Sequence, residues 1–133
     1  MTRTTLGGLV LSLVAGLTLL SCGGGEGGST TRGDLLISYF QGGPEAGAVL
    51  LTITGGPVEE VTAVGGQQVS FASPFTGTTK VVIAGTLTNG ELLRIRVPDV
   101  SLATSYHAIA EQAADKVTFA LLDPSAYNFT VHR

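Results

Sequence analysis

From Asp34 onward the apolar residues recur at every second position, and that period narrows the folds open to the chain. Leu35, Ile37 and Tyr39 alternate with Leu36, Ser38 and Phe40, and Val49, Leu51 and Ile53 alternate with Leu50, Thr52 and Thr54. The pattern returns at Val69 and Phe71, at Val117, Phe119 and Leu121, and at Tyr127, Phe129 and Val131. A two-residue period sends alternate side chains to opposite faces of an extended chain, so each run reads as a strand with one buried face. β-Branched and aromatic side chains fill these runs, as strands favour. Turn formers separate them: Gly42-Gly43-Pro44, Gly55-Gly56-Pro57, Gly65-Gly66, Ser73-Pro74, Asn89-Gly90 and Asp123-Pro124-Ser125. Short strands set apart by such turns predict an all-β fold, a single antiparallel β-sandwich over residues 34–133. That length holds one core and not two.

One stretch is ambiguous. Ala108-Ile-Ala-Glu-Gln-Ala-Ala114 has helical composition and Ser105 stands where a cap would, yet Tyr106, Ala108 and Ala110 also fit an alternating strand. Seven residues are short for a free-standing helix.

Thr88-Asn89-Gly90-Glu91 is the strongest local turn signal. Asn-Gly suits the two positive φ angles of a type I′ hairpin turn. A two-residue hairpin there pairs Leu87 with Leu92, Gly85 with Arg94, Ile83 with Arg96 and Val82 with Val97. It gathers Val82, Ala84, Thr86, Leu93, Ile95 and Val97 on a core face. The opposite face then carries Val81, Ile83, Leu87, Leu92, Arg94 and Arg96. Arginine among apolar residues is the composition of a protein interface, so this second face is either covered by the rest of the chain or is an interaction surface. A bulge in one strand would move Ile83 into the core.

The N-terminal region has a different character. Met1 to Thr5 carries one positive charge at Arg3, and an uncharged run from Leu6 to Leu20 follows. A basic start, an apolar middle and a small residue before a cut make a secretory signal. Fifteen helical residues rise only about 22 Å, short of the roughly 30 Å hydrocarbon core, which argues against a membrane-spanning helix. Cys22 is the single cysteine, directly behind Leu19-Leu20-Ser21 and ahead of a tract with six glycines in the eleven residues from Gly23 to Gly33. This arrangement resembles the lipobox of bacterial lipoproteins. The resemblance implies cleavage after Ser21, a diacylglycerol thioether on Cys22 and acylation, commonly with palmitate, of the new N-terminus. It further implies a membrane partner reached through that lipid. Gly23, rather than aspartate, permits sorting to the outer membrane of a Gram-negative cell. The division expected is a leader over 1–21, a lipidated cysteine and glycine-rich linker over 22–33, and the β domain over 34–133.

Charge and cysteine content exclude several classes. Seven Lys and Arg stand against ten Asp and Glu, for a net charge of −3. The basic residues form no cluster beyond Arg94 and Arg96, so nucleic acid is not an expected partner. With no cysteine beyond Cys22, no disulfide framework is available to the domain, and stability falls to packing.

Residues 34–133 resemble a cohesin-like β-sandwich within the wider group of carbohydrate-binding-module folds. The likeness lies in Gly47-Ala-Val-Leu-Leu-Thr-Ile53, in Gly85-Thr-Leu-Thr-Asn-Gly-Glu-Leu-Leu93 followed by Arg94-Ile-Arg-Val97, and in a final strand running to Arg133. An immunoglobulin-like sandwich presents much the same pattern. The resemblance implies a fold and allows carbohydrate binding as one function.

Catalytic groupings are missing from the sequence. No serine lies in Gly-x-Ser-x-Gly, and the glycines form linkers and turns rather than a phosphate loop. His107 and His132 lack the close ligand spacing of a metal site. Asp99, Asp115 and Asp123 each stand at an expected strand end and match no calcium loop; an aspartate there accepts backbone hydrogen bonds in an Asx turn. Glu59-Glu60 reads as a surface charge pair. No metal or cofactor is expected. Sugar binding would need aromatic platforms, and Phe75, in Ser73-Pro-Phe-Thr-Gly77, is the aromatic best placed for a loop. The expectation is a non-catalytic envelope lipoprotein that binds or assembles with a protein or glycan partner. A purely structural lipoprotein is the alternative.

Overall fold

A computed structural model describes residues 30–133. Nine strands run in chain order: β1 Gly33–Gln41, β2 Ala46–Thr54, β3 Glu60–Ala63, β4 Gln68–Phe75, β5 Thr78–Ala84, β6 Gly90–Val97, β7 His107–Asp115, β8 Leu121–Leu122 and β9 Tyr127–His132. Two short 3-10 turns, Val100–Ser105 and Pro124–Ala126, interrupt them. The fold is all-β, and every strand pair is antiparallel. The stretch with helical composition is β7.

The strands follow the order β3-β6-β1-β9-β7-β2-β5-β4, with β8 beside β7. A single pairing, Ile109 with Asn128, joins β7 to β9. The path therefore divides at that seam into two four-stranded halves, β3-β6-β1-β9 and β7-β2-β5-β4, whose inner faces meet. β3 and β4 lie at the two ends of the path yet are linked by only Val64–Gln67, which brings the ends together and nearly closes the barrel.

The core follows from the alternation. Leu35, Ile37 and Tyr39 of β1, Val49, Leu51 and Ile53 of β2, and Leu93, Ile95 and Val97 of β6 are buried. Tyr39 stacks parallel to Tyr127 at 6.3 Å and leans on Phe129 at 5.3 Å. The small Ala108, Ala110 and Ala113 of β7 are buried beside them.

The hairpin expected at Asn89-Gly90 does not form. β5 pairs with β2 and β4, whereas β6 pairs with β1 and β3. Residues 85–89 instead carry the chain from one half of the sandwich to the other. Gly85, at φ 130, donates its N–H to Gly47 O at 2.9 Å and does not face Arg94. Gly90 has φ 114, but Asn89 has no positive φ, so the turn is not type I′. Asn89 Oδ1 instead accepts the Gln41 N–H at 2.8 Å.

The tract taken as linker reaches the domain before its end. Thr31 O accepts the Val100 N–H, and Arg32 grips Glu59 through two bonds of 2.7 and 2.8 Å.

Candidate functional site

The register divides the expected interaction face. Val81, Ile83, Leu87 and Leu92 are buried, while Arg94 and Arg96 are exposed. Val81 and Ile83 face the core from β5, so the side of β5 taken as core is the outer one, and Val82 is 44% exposed. A one-residue difference in register sends every side chain of a strand to the other face. The four apolar residues thus belong to the core, and only the two arginines remain on a surface.

That surface is the outer side of the β3-β6-β1 half. Glu60, Arg96 and Asp34 stand in one cross-strand row, and Thr62, Arg94 and Leu36 in the next. Arg96 contacts Asp34 at 3.2 Å and Glu60 at 3.7 Å. Arg94 makes no ion pair among the described residues. Asp34, Glu60, Thr62, Arg94 and Arg96 line an open groove of about 220 Å³. Two cations and two carboxylates leave it neutral, so it suits a polar, uncharged contact better than a strong anion. Farther along the same half, Ser38 Oγ and His132 Nε2 meet at 2.8 Å.

A second surface lies on the outer side of the β7-β2-β5 half, and the sequence reading missed it. Cross-strand partners share a face: Ala48 is opposite Ala84 and Ala114, Leu50 is opposite Val82, and Ala114 is opposite Leu121. With Gln112, which lies opposite Leu50 on β7, these residues form a largely apolar patch whose shallow depression of about 220 Å³ is lined by Ala48, Leu50, Val82, Gln112, Ala114 and Leu121. A polar belt bounds it below, where Lys80 Nζ donates to Thr52 Oγ1 at 2.8 Å and pairs with Glu111. That ion pair holds the Glu111 carboxyl below its usual range. The apolar outer position Val82 was the available signal, but the hairpin register assigned it to the core.

Beyond this patch stands the turn Asp115–Ala120. Val117, Phe119 and Leu121, read as strand residues, are 79%, 79% and 77% exposed. The cause is local. Asp115 Oδ1 accepts the N–H groups of Val117 and Thr118, each at 2.8 Å. A side chain that captures successive amides diverts them from a strand ladder. These bonds also hold the Asp115 carboxyl below its usual range. Phe119, at φ 57, is left-handed, a rare state for a bulky residue.

Asp99 and Asp123 follow the same rule. Asp99 Oδ1 accepts from Ser101 Oγ at 2.7 Å and Ser101 N at 3.0 Å; Asp123 Oδ1 accepts from the two matching groups of Ser125 at the same distances. Both carboxyls are lowered, chiefly by the serine hydroxyl. The three aspartates shape turns, as the sequence implied. Among the described residues, no three His, Cys, Asp or Glu side chains converge on one point.

Phe75 is 74% exposed and ends β4, where Phe75 pairs with Thr78 across Thr76-Gly77. It lies beside Pro57, Val58 and Ser73. Of the remaining aromatics, Tyr39, Tyr106, Tyr127 and Phe129 are core. Tyr106 Oη donates to Pro57 O at 2.8 Å, and Tyr127 Oη donates to Pro44 O. Cys22 lies outside the described residues.

No protein-family model matches the chain, and no similar curated protein or solved structure was found for it.

Proposed function

We propose that this chain is a lipid-anchored, non-catalytic β-sandwich that serves as a binding or assembly module at a bacterial cell envelope. The observation that carries the reading is Leu19-Leu20-Ser21-Cys22, closing an uncharged run behind Arg3 and opening a glycine-rich tract. Lipid on Cys22 holds the domain to a membrane of the cell envelope, the outer one in a Gram-negative cell, and acyl chains at roughly 0.8 kcal/mol per buried CH₂ make two or three of them a lasting anchor. A protein partner is supported by the apolar outer patch of Ala48, Leu50, Val82, Ala84 and Ala114. A sugar platform has less support, because the stacked aromatics Tyr39, Tyr127 and Phe129 are buried. Of the four exposed phenylalanines, Phe40, Phe71, Phe75 and Phe119, the two most exposed, Phe75 and Phe119, stand at opposite ends of the sandwich.

Cys22→Ala is the test. The wild-type chain should carry the mass of its acyl chains and partition into detergent, and the variant should do neither. A wild-type chain of unmodified mass overturns the anchor. A photo-crosslinking residue at Val82 tests the partner in intact cells. An adduct of one defined mass, lost in Leu50→Glu, supports the assembly role, and a chain that stays uncrosslinked leaves the purely structural alternative.

A further inference from the structure

The turn Asp115–Ala120 and the first residue of β8 present three large apolar side chains to solvent, Val117, Phe119 and Leu121, and the N–H groups from Val117 to Ala120 are bonded within the turn. Val117 N and Thr118 N donate to Asp115 Oδ1, and Phe119 N donates to Asp115 O at 3.1 Å. Ala120 N reaches Thr118 Oγ1 at 3.4 Å, and Ala120 O accepts the Asp115 N–H at 2.8 Å. Four consecutive N–H groups are thereby satisfied inside the turn. Between Val117 and Leu121 no side chain is charged. The charges stand at the base, where Lys116 Nζ meets Glu45 Oε1 at 2.9 Å beside Asp115.

From this arrangement we infer that Val117, Phe119 and Leu121 form a membrane-inserting tip, which sinks into the headgroup and acyl boundary of a lipid bilayer. An unpaired N–H is costly to bury in an acyl phase, and the four N–H groups of the turn carry their acceptors with them. The three side chains are about four-fifths exposed, and a deformable bilayer accepts protruding apolar groups without a shaped cradle. The collar of Asp115, Lys116 and Glu45 stays among the headgroups and limits the depth.

The inference rests on the lipid anchor at Cys22, which keeps the bilayer within reach. The chain enters the sandwich at Gly33, opposite Val97. The tip lies at the other end of β1, since Gln41 leads through residues 42–45 to Ala46, which is paired with Asp115. Nine strand residues span roughly 30 Å, and the nine residue steps from Cys22 to Thr31, where the chain is first held to the domain, reach at most roughly 30–32 Å. The domain can therefore lie along the membrane with anchor and tip both engaged, two attachments of which the first raises the effective concentration of the second.

The sequence contains no tryptophan, so Phe119→Trp in the full lipidated chain places a single tryptophan, excited selectively over the tyrosines, at the tip. The chain would be reconstituted into phosphatidylethanolamine and phosphatidylglycerol vesicles, with and without bromine on the acyl chains. The expected result is a shift of the emission to shorter wavelength and quenching by the brominated lipid. Adding Val117→Ser and Leu121→Ser to that chain should abolish both. Leu121→Trp gives the same readout if Phe119→Trp disturbs the turn. A vesicle-bound chain of the correct acylated mass whose tryptophan stays unquenched overturns this inference alone. A shift without quenching that grows with protein concentration overturns it in favour of a second copy of the chain. A chain without acyl mass that fails to float with vesicles overturns the anchor and this inference with it.

Discussion

Leu92 and Leu93 are neighbours in sequence, and both side chains are buried, at 1% and 0% exposure. A regular strand would send one of them to solvent. The chain avoids this with a bulge: Ile37 pairs with Leu93 and Ser38 with Glu91, leaving Leu92 unpaired between them. Leu92→Ala should then behave as a core truncation and cost about 2–5 kcal/mol, whereas Arg94→Ala on the outer face should stay within about 0.5 kcal/mol. Urea unfolding of both variants checks this. Equal midpoints would return Leu92 to the surface.

The same pair shows why part of the fold was legible and part was not. β1, β2 and β9 alternate cleanly because each has one buried face, and their readings hold residue by residue at Leu35, Ile37, Tyr39, Val49, Leu51 and Ile53. The segment from Val81 to Val97 failed because its strongest signal was local and its pairing is not. Asn89-Gly90 marks a change of direction, but β2 and β1, thirty or more residues away, decide where β5 and β6 lie. Val117 and Phe119 carry the strand period and are no strand, because Asp115 takes their amides first. Asp99, Asp115 and Asp123 were readable as turn formers for the converse reason, since an Asx turn needs only residues within three positions.

Acid should weaken the fold through these aspartates. All three carboxyls are held below their ordinary value by hydrogen bonds in the folded state. Glu59 and Glu111 are lowered too, by Arg32 and Lys80 respectively. A depressed folded value means the unfolded chain binds protons first, so the contribution is complete above the ordinary carboxylate value, near ~4, and is lost as pH falls through the folded value. Replacing Asp99, Asp115 and Asp123 together by asparagine keeps an acceptor oxygen but removes the titration. The melting temperature of that variant should fall less steeply below pH ~4. An acid limb of unchanged slope would assign the titration to other groups.

At the alkaline end the relevant group is Tyr39. Burial is the main reason its phenol is pushed up to about 12, with the neighbouring Tyr127 adding to it. A raised folded value contributes stability that is complete below the unfolded value, near ~10, and is lost as pH rises through the folded one. Ultraviolet difference titration should show Tyr39 ionising late, in step with unfolding, and Tyr39→Phe should remove that late component. Three tyrosines ionising together near the free value would contradict the stacked core.

Two glycines with positive φ should respond differently to alanine. Gly55 has φ 106, and a Cβ there would lie 1.8 Å from Ser105 O. Gly90 has φ 114, but nothing stands within 4 Å of its Cβ. Gly90→Ala meets only the backbone penalty, about 1 kcal/mol. Gly55→Ala adds a clash with backbone that cannot turn aside, so its loss should be clearly the larger. Parallel denaturant curves rank the two, and the reverse order would mean that residues 55 and 105 are not in contact.

Phe119 should show a trade between stability and function. Its φ of 57 lies in the left-handed region, which costs a non-glycine residue about 1–2 kcal/mol. Its ring is 79% exposed, so little packing is lost when it is removed. Phe119→Gly relieves the strain but adds conformational freedom to the unfolded chain, which returns part of the gain. The net expectation is a stabilisation of about 0.5–1 kcal/mol, read as a higher unfolding midpoint at unchanged slope. Phe119→Ala, which keeps a Cβ in the left-handed backbone, should gain nothing. That contrast separates strain from loss of the ring, since both variants delete it. A strained, solvent-facing aromatic persists where its exposure is used, and a site under selection for function is where stabilising substitutions are expected to cost activity. Phe119→Gly should accordingly be the more stable protein and the poorer membrane binder, measured in the full lipidated chain as reduced quenching of a Leu121→Trp reporter by brominated lipid. If Phe119→Gly is destabilised as much as Phe119→Ala, the ring is packed in solution and the tip is not free.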